Sequence, residues 1–298
     1  MVVWNDLVEV CHRLDFPEEA VVHLEKCYYA LTNISAKRLQ KISDDWLKPN
    51  TDWRNSLEAI ATLAQEADAS LNSARMVLFL YSAIPLLAEY QKRGLSESLF
   101  CETLQDLRYK LLECYSLHGE WGTFELEWYR GFYLCERFAL GRLQYEKINF
   151  PHKEYKGVLK EGDRVYSCHI PSSGPLLEND VIASLKRAYS FYRAELKNGI
   201  LPVVCHSWLL YQPLETVFAG SGNILKFRNM FDVIDNHADS TNRDFWRVFY
   251  QSFSAQALNE ASPTTRLQKN LKDFLLNGQT MGAGFGVLLF DGEKIIND

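Results

Sequence analysis

The sequence predicts an α+β protein, with an all-helical N-terminal part followed by a mixed α/β C-terminal part. Three observations carry this. Apolar residues recur at helical spacing through residues 1–118, period-two alternation sets in from Leu140, and Arg164 to Leu210 reads as strand, loop, amphipathic helix and strand. The chain has 298 residues, enough for two ordinary domains. At 47% hydrophobic and 13% aromatic it has the material for a sizeable core.

The first stripe is Leu7, Val10, Cys11 and Leu14. Phe16-Pro17-Glu18-Glu19 then reads as a break and a new start, with proline at an early helical position. Val21, Leu24, Tyr28 and Leu31 form the second stripe, and Leu57, Ile60, Leu63, Ala64 and Ala67 the third. Ser73 to Gln91 is more apolar and reads as a buried helix. Ser96 is placed to cap a helix whose stripe is Leu104, Leu107, Leu111 and Cys114. Five helices with short connections predict a bundle.

Gly119-Glu120-Trp121-Gly122 punctuates the chain, so the two parts are taken as residues 1–118 and 119–298, with a boundary between Leu117 and Leu140. Phe124 to Tyr133 predicts a helix with Phe124, Trp128 and Phe132 on one side. Leu143 and Tyr145 alternate with Arg142, Gln144 and Glu146 as in a strand. Arg164 to Ile170 alternates likewise, with Val165, Ser167 and His169 on one face and Tyr166, Cys168 and Ile170 on the other. Leu177 to Leu196 returns to helical spacing through Ile182, Leu185, Tyr189 and Tyr192. Leu201 to Leu210 is a second strand, Asn223 to Phe231 a further short one, and Thr264 to Leu276 a helix. Gly286 to Ile296 predicts a hairpin around Asp291-Gly292.

Several classes are disfavoured. A formal net charge of −6 without a basic patch argues against nucleic acid as a partner. Seven cysteines, an odd number without CxxC spacing, argue against a disulfide framework or a cysteine-rich zinc module and suit a reducing cytoplasm. The N-terminus lacks the regions of a signal peptide. The longest apolar run, Met76 to Ala88, is interrupted by Ser82 and Pro85 and is too short to cross a bilayer.

Candidate chemistry gathers on the two strands of the Arg164–Leu210 unit. His169 stands at the end of the first, where a neutral-range imidazole suits a general base, or serves as a structural strand histidine. On the second, alternation puts Cys205 and Ser207 on one face and His206 and Trp208 on the other, so neighbouring Cys and His point apart and form no dyad. Buried structural thiols are the expectation for these cysteines. Ser172-Ser173-Gly174 offers amides and hydroxyls to a phosphate ahead of the following helix. Gly282, Gly284 and Gly286 follow a helix and precede a strand, the reverse of a dinucleotide fingerprint, and read as a tight connection or bulge. Asp232, Asp235, His237 and Asp239 match no metal-ligand spacing and read as a solvated loop with capping carboxylates, so no metal is expected.

Trp121-Gly122-Thr123-Phe124-Glu125, Leu140-Gly141-Arg142-Leu143-Gln144-Tyr145-Glu146, His169-Ile170-Pro171 and Cys205-His206-Ser207-Trp208-Leu209-Leu210 resemble segments of bacterial acyltransferase-domain proteins. So do Asn223-Ile224-Leu225-Lys226-Phe227 and Thr264-Thr265-Arg266-Leu267-Gln268. Those proteins pair a helical N-terminal domain with a GNAT-like C-terminal domain. The resemblance spans nearly all of residues 119–298 and, more loosely, the helical part. It implies an acyltransferase taking acyl-CoA or acetyl-CoA as co-substrate, with a small-molecule or peptide amine or hydroxyl as acceptor; charge and hydropathy lead us to expect no membrane or nucleic acid as partner. It implies that the loop after the central strand holds the pyrophosphate, which here means Ile170, Ser172, Ser173 and Gly174. In place of the usual Gln/Arg-x-x-Gly-x-Gly/Ala loop this chain has Pro171-Ser172-Ser173-Gly174-Pro175. His169 or His206 would then be the base, and Trp208 and Glu146 would line the substrate pocket. A non-catalytic binding module on the same fold is the alternative.

Overall fold

The computed structural model describes residues 2–297, and the chain divides into two compact units, the first ending at Phe138 and the second beginning at Ala139. The first unit contains α1 (Trp4–Arg13), α2 (Glu18–Trp46), α3 (Trp53–Glu66), α4 (Leu71–Lys92), α5 (Glu97–His118) and α6 (Glu127–Tyr133). Sequence chemistry sets their starts. The side chains of Asp52, Ser70 and Ser96 accept from the amides of Arg54, Ser73 and Leu99, supplying partners to orphan first-turn N–H groups.

The expected stripes face inward. Leu7, Leu14, Leu24, Leu31, Ile60, Leu63, Leu104, Leu107 and Leu111 are fully buried. Helix α4 is longer than the apolar run seen in the sequence, and by length and composition it is long enough to cross a membrane. Its residues from Met76 to Ala83 are nonetheless buried within the helical unit, as in the core helix of a bundle.

Residues 119–138 pack with the helices of the first unit, whose end at Phe138 lies within the expected range from Leu117 to Leu140. Thr123 N–H donates to the Asn72 carbonyl at 3.0 Å. A side chain at Gly122 would meet the Asn72 carbonyl carbon at 2.4 Å. The helix expected from Phe124 starts only at Glu127, and its inward face is Tyr129, Phe132 and Tyr133 rather than Phe124, Trp128 and Phe132. Tyr129 packs on Phe79 with ring centroids 4.6 Å apart, and Tyr133 donates to the Phe79 carbonyl at 2.6 Å. Aromatic closure against α4 therefore sets the face of this short helix.

The second unit is built on a six-stranded sheet whose first strand begins two residues before the unit boundary. Its strands are β1 (Arg137–Ala139), β2 (Gln144–Asn149), β5 (Arg164–His169), β6 (Leu201–Ser207), β8 (Gly282–Phe290) and β7 (Asp232–Ala238), hydrogen-bonded in the order β1-β2-β5-β6-β8-β7. A small hairpin of β3 (Glu154–Tyr155) and β4 (Leu159–Lys160) accompanies it. Of the pairs β2–β5, β5–β6, β6–β8 and β7–β8, β5 and β6 alone run parallel, joined by the crossover helix α7 (Glu178–Tyr192), as a parallel pair requires. On one face, Tyr145, Tyr166, Cys168, Val203 and Cys205 are buried. Tyr192 of α7 packs tilted against Tyr166 on this side, with ring centroids 4.2 Å apart. On the other, Phe150, Tyr155 and Leu159 close over Val165, Val204, Phe285, Val287 and Leu289.

Several expectations are corrected here. Asn223–Phe231 is not a strand: Gly222–Arg228 is a helix, α8, and Phe227 packs tilted against Phe231, just past its end, with ring centroids 5.2 Å apart. The acidic stretch from Asp232 is not a loop. It is the edge strand β7, paired to β8 with a bulge between Val233 and Asp235, and its charged residues suit an edge exposed to water. The glycines at 282, 284 and 286 lie inside β8 rather than before a strand. They let the turn Trp208–Leu210 pack onto it: a Cβ at Gly284 would stand 2.3 Å from the Leu210 carbonyl oxygen. The strand expected to reach Leu210 stops at Ser207, and Trp208–Leu210 is a 3-10 turn. Helix α7 stops at Tyr192, with 3-10 turns after it. After α8 the remaining helices are α9 (Trp246–Phe249), α10 (Ala255–Glu260) and α11 (Arg266–Leu276), the last capped by Thr265 with Gln268 in a capping box.

Candidate active site

Strands β5 and β6 pair only at Tyr166↔Val203 and Ser167↔Val204. Beyond those positions β5 continues to His169 beside β2, and β6 continues to Ser207 beside β8. The sheet therefore parts at the carboxyl ends of its two parallel strands, where α/β folds collect their ligands. His169 and His206 are each two residues past the last paired position. Since side chains alternate with period two, both share the face of Ser167 and Val204. The structure thus brings the two expected histidines to one face and one opening.

The thiols go the other way. Cys168 and Cys205 are free thiols buried on the α7 face and hydrogen-bonded to each other, and that hydrogen bond, then burial, holds the Cys168 thiol well above its ordinary range. The neutral thiol is no nucleophile, and neither cysteine faces the imidazoles.

Around the opening, His169 Nε2 lies 2.7 Å from Glu146 Oε1, both side chains about three-quarters buried. The register Gln144↔His169 and Glu146↔Ser167 puts this carboxylate one step along the neighbouring strand, within diagonal reach. His206 makes no hydrogen bond among the described residues, and its ring lies 6.4 Å from that of Phe285. Burial, then the positive charges of Arg243 and His237, pushes its pKa below the usual histidine value. The neutral imidazole is thus the favoured form at pH 7. On β7, His237 sits 3.0 Å from Asp235.

Because the folded-state pKa of His206 is depressed, the unfolded chain binds more protons as pH falls. The stabilising contribution is complete above about pH 6.5 and is lost as pH drops toward the lowered value. Thermal unfolding between about pH 5 and 7 is expected to be less pH-dependent in His206→Gln than in the parent, by a small amount because the ring edge meets solvent. Superimposable pH profiles would refute this.

The loop after β5 is organised by a residue that sequence reasoning left in a strand pattern. The Arg142 guanidinium donates to the carbonyls of Pro171 at 3.1 Å, Gly174 at 2.7 Å and Pro175 at 3.1 Å. A trans peptide points its N–H opposite to its C=O, so the amides of Ser172 and Leu176 are turned away from Arg142. Gly174 takes φ +107°, a conformation suited to glycine. Arg142 is itself held by the turn Leu140–Leu143. Buried Ser184 of α7 accepts from the Leu143 amide at 3.1 Å and donates to the Leu140 carbonyl at 2.7 Å. Ile170, Ser172, Ser173 and Gly174 lie where a strand end meets a helix start, and the N-cap position Leu177 offers no side-chain cap. Glu178 in the first turn of α7 is paired with Lys226 at 2.8 Å. Trp208 is half-buried against Phe218 at 5.6 Å, carried on the turn rather than on the strand. No group of three or more His, Cys, Asp or Glu side chains is arranged to hold a metal among the described residues.

This architecture is that of a GNAT-like protein. Residues 138–288 match the family described as GNAT-like C-terminal domain, and the chain belongs to it. Residues 5–135 match the N-acyltransferase N-terminal domain. No curated protein matches the chain. Among solved structures, an acyltransferase mutant in complex with octanoyl-CoA is similar at TM-score 0.69 and 18% identity, over 95% of this chain and 87% of that one. An acyltransferase in complex with decanoyl-CoA and teicoplanin is similar at TM-score 0.67 and 19% identity, over 94% and 86%. A third, with decanoyl-CoA, has TM-score 0.66 and 22% identity, over 94% and 86%. At these identities the likeness is one of fold.

Proposed function

We propose that this chain moves an acyl group from an acyl-CoA to an amine or hydroxyl of a small-molecule or peptide acceptor. The observation that carries the reading is the His169–Glu146 pair at the point where β5 and β6 part. Family membership and the acyl-CoA complexes of similar folds support it. Glu146 orients His169, which takes the proton of the acceptor as its nitrogen or oxygen attacks the thioester carbonyl. The tetrahedral adduct collapses, the C–S bond breaks, and the proton passes to the departing CoA thiolate. His206 flanks the opening as a second, neutral imidazole. Ile170, Ser172, Ser173 and Gly174 hold the phosphates through amides and hydroxyls, and Trp208 lines the pocket with Glu146. Direct transfer of this kind needs no thiol nucleophile, in keeping with the burial of Cys168 and Cys205. Seven free cysteines fit a reducing compartment such as the cytoplasm.

A binding module without catalysis is the second reading, favoured by Glu178 and Asp180 in the first turn of α7, where a bound phosphate would sit. Thermal shift tests the first reading. A ligand that binds the native state must raise its apparent stability, so no shift with millimolar acetyl-, octanoyl- or decanoyl-CoA would sink the proposal. Turnover then distinguishes enzyme from module.

Arg142 supplies a further test. Arg142→Ala releases three loop carbonyls at once. It is expected to raise KM for acyl-CoA about tenfold or more, in the range of losing a hydrogen bond to a charged group, with kcat nearly unchanged. A truncated acyl thioester lacking the nucleotide should be turned over equally by both proteins. Equal loss with both donors would contradict the phosphate-positioning role.

A further inference from the structure

At the opposite end of β5 and β6, away from His169 and His206, lies a cavity of about 230 Å³. We propose that it is a second binding site, for a small apolar monocarboxylate. Its apolar wall comes from Leu159, Leu196, Ile200, Pro202 and Leu289. Its polar side is Arg164 and Tyr166, which share one face of β5, with Glu195, Asp163 and Lys197 at the rim. Tyr166 is 1% exposed, and its hydroxyl has no hydrogen-bond partner among the described residues. An unpaired buried hydroxyl is costly, so a ligand that engages it is favoured. Glu195 and Arg164, whose charges act on this phenol, line the cavity together with Tyr166.

The charge arrangement selects the ligand. Glu195 is engaged by Lys147 at 2.5 Å, and Asp163 by Lys197 at 3.2 Å and the Lys160 amide at 2.8 Å. Arg164 reaches a carboxylate only at 3.9 Å, on Glu195. Its fork is therefore the least committed cation at the rim, and it stands beside a phenol that remains protonated at neutral pH. A guanidinium and a hydroxyl donor from one strand face beside an apolar wall match a carboxylate with a short aliphatic or aromatic body. The volume falls below the roughly 300–1,000 Å³ of drug-sized pockets, which limits that body to a compact one.

The test is calorimetric titration of the full chain with benzoate, butyrate and octanoate, with octanol and octylamine as uncharged and cationic controls. Carboxylates should bind and the controls should not. Tyr166→Phe should weaken carboxylate binding about tenfold without lowering the thermal midpoint of the free protein, because the hydroxyl it removes is unpaired. Arg164→Gln should abolish binding, and His169→Ala should leave it intact. Equal binding of octanol and octanoate would overturn the proposal. So would carboxylate binding that survives Tyr166→Phe and Arg164→Gln, or that is lost in His169→Ala, for the ligand would then lie elsewhere. The cavity stands independently of the acyl-transfer reading, and its failure would leave that reading untouched.

Discussion

His169→Ala is expected to lower kcat for acyl transfer by about 10²- to 10⁴-fold, the usual worth of a positioned general base, with acyl-CoA binding unchanged. The expectation rests on place as well as chemistry. His169 ends the one strand whose parallel partner departs, and Glu146 on β2 holds its Nε2 at 2.7 Å. Glu146→Gln keeps a hydrogen-bonding group of the same shape but removes the charge that stabilises an imidazolium, so a smaller loss of kcat is expected. His206→Ala should cost less than His169→Ala, for no carboxylate orients that ring. Single-turnover rates measured beside CoA titrations would separate chemistry from binding. Undiminished single-turnover rates in both histidine variants would refute the assignment of the base.

The largest expected effect on stability is at Gly284. A single added methyl there stands 2.3 Å from the oxygen and 2.6 Å from the carbon of the Leu210 carbonyl. Both obstacles are backbone, so a rotamer change relieves nothing. Gly284→Ala should therefore push the Trp208–Leu210 turn off β8. The cost should be about 3 kcal/mol or more, equivalent to a fall in midpoint of roughly 6–12 °C for a unit of this size. Gly222→Ala is the control. It meets nothing within 4 Å and lies in the first turn of α8, so it should be silent. Equal midpoints for the two variants would show that the turn yields freely.

The contrast between these two sites indicates what a sequence conveys. Helical stripes such as Leu104, Leu107 and Leu111 are legible because burial repeats at the helical period, whatever the neighbouring helix. Face assignment within a strand is legible too, since alternation alone sets His169 beside Ser167 and apart from Cys168. Whether His169 and His206 share a face is not, for that depends on the register Tyr166↔Val203, and a slip of one residue would separate them. Strand β7 is hidden for a different reason. Asp232, Asp235, Asn236 and His237 are poor strand formers, and pairing with β8 overrides them. The Asn223–Phe231 segment fails because a short apolar run fits helix and strand alike. Arg142 leaves no local signal, because its three partners lie about 30 residues away and are all backbone carbonyls.

The early parting of β5 and β6 has a consequence for how this sheet meets its surroundings. A sheet ordered β1-β2-β5-β6-β8-β7 has two outer margins, at β1 and β7. Here a third margin opens in its middle. Past Ser167 and Val204 the pairing of β5 with β6 ends, so the gap is bordered by the backbones of two parting strands. An outer margin with unpaired backbone groups invites another chain to add a strand. This one is flanked on both sides by its own sheet, so it admits a narrow guest and refuses a neighbouring protein's edge.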